Sequence, residues 1–195
     1  QQAPARPATR TMLHAPWSFW HVNRDSGRGP RGSAKQSAAY GSSLSLVGDI
    51  ETAEEFWGVY CYLSRVGAGA GSGKGVSGDV CLFRRGVRPM WEDEANARGG
   101  RVTLRVSKAA SARYWEELTL ALVGEQLAFG HSVCGAVLSS RPGDEDVLSV
   151  WTCDANDTQS VDKLLEAVRK LLCLAPSHNV EYRPHAVSAS YAAHR

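Results

Sequence analysis

The chain has 195 residues, 43% of them hydrophobic and 22% charged, which is the composition of one globular domain with a substantial core. Its formal net charge is only +2, so bulk attraction to phosphate is excluded as a basis for nucleic-acid binding, and any such role must rest on a local site. Five cysteines, odd in number, widely spaced and without a CxxC, argue against a disulfide framework or a zinc site and for a reducing compartment. No segment reaches the length of a membrane span and no signal peptide is visible, which points to a cytoplasmic protein with no membrane partner.

In chain order, residues 1–13, rich in Pro, Ala and Arg, read as a disordered tail, and residues 24–38 as a mobile basic loop. Alternation through Leu44 and Leu46 marks a strand over Ser43 to Val47. Thr52 and Glu55 then make a capping box, and Phe56, Val59, Tyr60 and Leu63 follow at helical spacing as one core-facing stripe. Trp57 lies about 100° round from Phe56, at the edge of that stripe and partly exposed. Gly67 to Gly78 is a flexible loop. Gly73-Lys74 lacks both the upstream glycine and the following hydroxyl of a P-loop. Gly73, Gly75 and Gly78 match the spacing of a dinucleotide fingerprint, but that fingerprint must open a helix and Val80 to Phe83 reads as a strand.

Val102, Leu104 and Val106 alternate as a further strand. Residues 111–127 form a second helix capped by Ser111, with Trp115, Leu118 and Leu122 on one face. Val133 to Ser140 and Val147 to Cys153 make a hairpin about the turn Pro142 to Asp146. A third helix starts near Asp157 or Thr158. Its residues Val161, Leu164, Leu165, Val168, Leu171 and Leu172 are the cleanest apolar stripe in the chain. Asn179 to Arg183 is a short last strand. Strands outnumber helices, and helices do not alternate with single strands. The fold class is therefore α+β, a largely antiparallel sheet with three helices on one face and the other face left to a ligand.

Between Arg84 and Arg113 there are eight Lys or Arg and three acids, and the acids stand together as Glu92-Asp93-Glu94. The run Arg88 to Glu94 has no helical or strand period and is too polar to bury. It reads as a structured loop that presents Trp91 for stacking. The Glu92 carboxylate offers two acceptor oxygens to parallel donors such as the ring N–H and exocyclic amine of guanine. A positively charged purine gains further from aromatic faces on both sides. Stacking contributes about 1–3 kcal/mol per base, and a charge-assisted hydrogen bond about 1.5–3 kcal/mol. A catalytic reading would need one of these acids to act with one of the six histidines, none of which has metal-ligand or nucleophile spacing. The site reads as a binder and not an enzyme, with no cofactor or metal implied.

Pro89-Met90-Trp91-Glu92-Asp93-Glu94, followed by Asn96 and Arg98-Gly99-Gly100-Arg101, closely resembles the signature of the eukaryotic translation initiation factor 4E family, which binds the messenger-RNA cap. Thr52 to Trp57, Tyr114-Trp115 through Gly124-Glu125, Cys134 to Val137, Val150-Trp151-Thr152 and Tyr182 to His185 follow in the family's order. The resemblance implies a cap-binding domain over residues 14–188, with residues 189–195 as a C-terminal tail. It implies a curved sheet with helices on its convex face and a ligand slot on the concave side. Trp91 would be one slice of an aromatic sandwich around 7-methylguanine. Tyr40, seventeen residues before Trp57, would be the other, in place of the family's usual Trp. Glu92 would take the guanine donors and Trp151 would touch the methyl group. Arg141, Arg101 and Arg183 are the implied phosphate ligands. The turn Asp144-Glu145-Asp146 is acidic where lysine is expected, so triphosphate contact should be weak; a register pairing 141 with 147 would put Arg141 on the face of Trp151.

The family also binds a translation-initiation scaffold of the 4G type, or a 4E-binding protein, on the helical face. Trp57, Ala53, Glu117, Leu120 and Gly124 are the matching positions, with His14 and Pro16 as a loose N-terminal match. Ala53 replaces a family valine and Glu116 a family leucine. The implied partners are capped mRNA and that scaffold, bound by a monomer. The rival reading is a protein-interaction module of the same fold with weak or lost cap binding.

Overall fold

The computed structural model describes residues 10–23, 41, 43–63, 78–127 and 132–185. The elements in chain order are β1 (Met12–Val22), β2 (Leu44–Thr52), α1 (Ala53–Leu63), β3 (Asp79–Arg84), α2 (Glu94–Ala97), β4 (Gly100–Ser107), α3 (Lys108–Val123), β5 (Val133–Ser139), β6 (Glu145–Thr152), α4 (Thr158–Leu171) and β7 (Val180–Pro184). The strands form one curved, open sheet in the order β2-β1-β3-β5-β6-β4-β7, with every neighbouring pair antiparallel. The fold class is thus α+β, as expected.

Alternation along the strands divides the core into two layers. One face carries Trp17, Phe19, Ile50, Val80, Leu82, Val102, Leu104, Leu148 and Val150, packed under Phe56, Tyr60, Trp115, Leu118, Leu164 and Val168 of α1, α3 and α4. The opposite, open face carries a smaller apolar layer of Val22, Cys81, Phe83, Cys134, Val137 and Trp151. Three full helices therefore cover one face, and the single turn α2 lies in the loop before β4.

At α1 the hydroxyl half of the capping box forms as the sequence predicts, while the carboxylate reaches one residue beyond the Thr52 amide. The Glu55 amide donates to Thr52 Oγ1 at 3.2 Å, and the Glu55 carboxylate reaches back to the Glu51 amide at 2.9 Å. Asp157 caps α4 by accepting from the Ser160 amide at 3.1 Å.

Several expectations need correction. Strand β1 had no counterpart in the sequence reading: Trp17-Ser18-Phe19 and Trp20-His21-Val22 each alternate, but the irregularity between Phe19 and Trp20 breaks the period. It lies between β2 and β3, hydrogen-bonded on both edges. It also begins at Met12, two residues inside the stretch read as a disordered tail. Helix α3 spans 108–123 rather than 111–127. Ser111 is no cap: it is fully buried inside the helix and donates to Asp146 Oδ2 at 2.8 Å. The hairpin register pairs Ser139 with Val147, which would set 141 against 145 rather than 147. That slip of two residues keeps the same face. Val80 to Phe83 is a strand, as the rejection of the dinucleotide fingerprint requires. The loop 24–38 and Gly73-Lys74 lie outside the described residues.

Candidate functional site

The Arg88 to Glu94 run folds as a braced turn closed by α2. Asn96 is fully buried beneath it and donates through Nδ2 to the carbonyls of Arg88 and Met90, both at 2.8 Å. Asp93 caps α2, accepting from the Ala95 amide at 3.1 Å through one oxygen and from the Arg88 amide at 3.1 Å through the other. Asp93 and Asn96 turn their polar groups inward, which leaves Trp91 half-buried and Glu92 exposed. The acidic knot is therefore divided: Asp93 builds the loop, and Glu92 stands at the surface. Neither bracing role was drawn from the sequence. The signal was present in Asp93, a preferred cap residue directly before a short helical run.

Gly99 and Gly100 then bring the chain against its neighbours. A Cβ on Gly99 would lie 1.7 Å from the Thr152 carbonyl oxygen, and one on Gly100 would lie 2.5 Å from Tyr182 Oη. Only glycine permits this approach. The Tyr182 hydroxyl shares a 2.8 Å hydrogen bond with Thr152 Oγ1, and burial raises its pKa.

Beyond this point the ladder aligns Phe83, Gly135, Trp151, Arg101 and Arg183 across β3, β5, β6, β4 and β7 on the open face. Trp151 is 7% exposed, with Phe83 edge-on to it at 5.4 Å and the His185 ring at 4.4 Å. His185 is 2% exposed, its amide donating to Gly99 O at 2.9 Å. Burial, with Arg101 adding a like charge, pushes its pKa down to about 4, so it is neutral near pH 7. The Trp91 loop is tied to this row: Cys134 Sγ donates to Ala95 O at 3.5 Å, and Val87 packs against the layer containing Trp151.

Arg183 pairs with Glu181 through Nη2 at 2.6 Å and Nε at 3.0 Å. Arg141 is exposed at the hairpin turn. One negative charge of the acidic turn beside it is offset by a lysine. Asp146 is buried on the helix face and accepts from Lys108 Nζ at 2.6 Å, Ser111 Oγ at 2.8 Å and the Arg141 amide at 3.1 Å. Burial works against its charge, but these donors outweigh that cost and hold the carboxyl below its ordinary range. Glu145 pairs with Arg105 at 3.7 Å, and Asp144 is exposed. Tyr40 lies outside the described residues.

The model of the family described as eukaryotic initiation factor 4E matches residues 12–195. The chain belongs to the eukaryotic initiation factor 4E family. It is 40% identical over 170 residues to the eukaryotic translation initiation factor NCBP of Triticum aestivum, covering 87% of this chain and 68% of that protein. The Arabidopsis thaliana NCBP is 38% identical over 176 residues, covering 90% and 74%. Among solved structures, a complex of Caenorhabditis elegans eIF4E-3 with the 4E-binding protein Mextli and cap analog superposes with a TM-score of 0.79 at 30% identity, covering 93% of this chain and 96% of that one. Ascaris suum eIF4E-3 with an m7G cap gives 0.76 at 28% identity, covering 91% and 92%.

In this 4E-family chain the second set of sequence-picked residues lies on the helix side. Trp57 is 43% exposed, edge-on to Tyr60 at 5.6 Å, and Leu120 is 36% exposed. Ala53 opens α1, Glu117 pairs with Arg113 at 3.3 Å, and Gly124 ends α3. Burial raises the Tyr60 pKa, and the Glu116 carboxylate that its hydroxyl meets adds to the shift. His14 and Pro16 stand on β1, whose start is tied to α1 by the Ala53 amide donating to Thr11 O at 2.8 Å. Among the described residues, no helix is long and apolar enough to cross a membrane, and no cluster of His, Cys, Asp and Glu could hold a metal ion.

Proposed function

We propose that this protein binds the 7-methylguanosine cap of mRNA and acts in translation initiation or its regulation. The observation that carries the reading is the braced loop: Asn96 and Asp93 hold Trp91 and Glu92 at the surface, next to an open-face row of Trp151 and Arg101. Trp91 stacks on the methylated base, with Tyr40 as the opposing ring. Glu92 accepts from the guanine ring N–H and amine. A neutral carbonyl edge cannot offer two charged acceptors in that way. Methylation makes the base cationic, so aromatic faces gain a cation–π contribution that unmethylated guanine does not provide. The wall behind Trp151 is compatible with a cation, because His185 is neutral near pH 7.

Arg101, Arg141 and Arg183 form the phosphate side. Asp146 is already satisfied by Lys108 and Ser111, so only Asp144 and Glu145 oppose the phosphates from the turn. The solved relatives carry a cap analog or an m7G cap, and one also carries a 4E-binding protein. By the same resemblance, Trp57, Leu120 and Gly124, with Ala53 and Glu117, receive a scaffold or 4E-binding protein on the helix side. His14 and Pro16 extend that site. Replacement of Trp91 by Ala, or of Glu92 by Gln, tests the reading. Each should reduce 7-methyl-GTP affinity at least about tenfold without unfolding the protein. Wild-type affinity in both variants would sink it.

A further inference from the structure

Cys134 and Cys153 flank Trp151 on the open face. Cys134 is 5% exposed within the apolar layer that includes Trp151, and Cys153 is half-buried and packed against that layer. The ladder brings them together. Gly135 pairs with Trp151 and Val133 with Thr152, with an irregularity at Cys134 between them. The Cys153 amide donates to Ser132 O at 2.9 Å, which draws the residue after the strand back toward the start of β5. Both side chains therefore pack in the Trp151 layer where the start of β5 meets the end of β6, and burial, with Cys153 adding to it, pushes the Cys134 thiol up to about 12. The Cys134 thiol also donates to Ala95 O in α2, so it is a strut between β5 and the Trp91 loop.

We propose that Cys134 and Cys153 are a thiol modification site that a peroxide-class oxidant closes to a disulfide, loosening the Trp91 loop. Cys153, the more accessible of the pair, reacts first. Its thiolate sulfur attacks one peroxide oxygen. The O–O bond breaks, an S–O bond forms, and the departing oxygen leaves as water with the thiol proton. Cys134 Sγ then attacks the Cys153 sulfur. The S–S bond forms, the S–O bond breaks, and the second oxygen leaves as water with the proton Cys134 gives up. Two thiols lose two electrons, and one peroxide becomes two waters. Sulfur in a disulfide has no hydrogen, so the bond to Ala95 O is lost.

The oxidation itself stands apart from the function proposed above; only its effect on affinity rests on that reading. The test treats the full chain with hydrogen peroxide, maps disulfide-linked peptides by mass spectrometry, and titrates 7-methyl-GTP before oxidation, after it, and after dithiothreitol. The expected result is a Cys134–Cys153 cross-link that dithiothreitol reverses, with affinity falling about three- to tenfold in the oxidised wild type. C153S should show neither change. Oxidation that reaches the exposed Cys61 and Cys173 but yields no Cys134–Cys153 peptide would overturn the modification site. A quantitative cross-link with unchanged affinity would overturn the loosening of the loop. Failure of both reduced proteins to bind 7-methyl-GTP would count against the cap reading and leave the cross-link result standing.

Discussion

Asn96→Ala isolates the device that presents Trp91. The side chain is fully buried and its amide donates to two backbone carbonyls, Arg88 O and Met90 O, each at 2.8 Å. A net contribution of about 0.5–1.5 kcal/mol per bond gives about 1–3 kcal/mol. The space left by the carboxamide adds to that figure, so the expected loss is about 2–4 kcal/mol. For a chain of 195 residues this corresponds to a fall in Tm of roughly 5–15 °C. The two carbonyls would turn to solvent, and Trp91 would lose its fixed orientation. Affinity for 7-methyl-GTP should then drop about fivefold, because a stacking ring that must be ordered on binding adds about 1 kcal/mol of entropic cost. Urea denaturation measures the first quantity and fluorescence titration the second. Asn96→Asp is the companion variant: it preserves volume but puts acceptors where donors are needed, and it should be at least as damaging. A variant that loses under about 0.5 kcal/mol, with an unchanged midpoint and full affinity, would refute the brace.

Other outcomes are expected elsewhere. Asp146→Ala leaves Lys108 and Ser111 without their acceptor and should cost about 3–5 kcal/mol in urea denaturation. Because the folded-state pKa of Asp146 is depressed, its contribution is present above the ordinary aspartate range and is lost as pH falls through the lower folded value; the pH dependence of the urea midpoint in acid reports it. His185 behaves differently. The unfolded chain protonates it near 6.5 and the folded chain only near 4, so stability should fall by about 3 kcal/mol as pH drops across that interval. His185→Leu should flatten that slope in midpoints measured at several pH values, and a slope equal to wild type would contradict the assignment. Trp57→Ala should weaken a scaffold-type partner in a pull-down while changing cap affinity by less than about twofold, since the residue stands on α1, on the side of the sheet opposite the Trp151 layer. Equal loss of both would make Trp57 a core residue instead.

Local rules were legible where one short-range contact decides the structure. Thr52 and Glu55 fixed the start of α1, Asp157 the start of α4, and the 3.6-residue stripe of α4 its buried face. Patterns set by the rest of the molecule were not. In β1 the irregularity between Phe19 and Trp20 splits the apolar period into Trp17-Ser18-Phe19 and Trp20-His21-Val22, so no run of alternation is long enough to reveal the strand. Ser111 looked like a cap because Ser usually is one, but its hydroxyl donates to the buried Asp146 on the helix face of β6. The other oxygen of Asp146 accepts from the Arg141 amide within the hairpin, whose register differs from the expected one by two residues. At the site, the residue types were readable and their division of labour was not. Three adjacent acids look alike in sequence, and only the fold shows that Asp93 serves the backbone while Glu92 stands at the surface.

A site for a methylated and therefore cationic guanine is tested by titrating the wild-type protein with 7-methyl-GTP and with GTP under identical conditions. The two ligands share every phosphate and every guanine donor and differ in the methyl group and its charge. The methylated ligand should bind about a hundredfold more tightly, the ratio expected for a desolvated cation–π contribution of about 2–3 kcal/mol. Equal affinities, or no measurable binding of either ligand and of a methylated cap carrying further nucleotides, would contradict it.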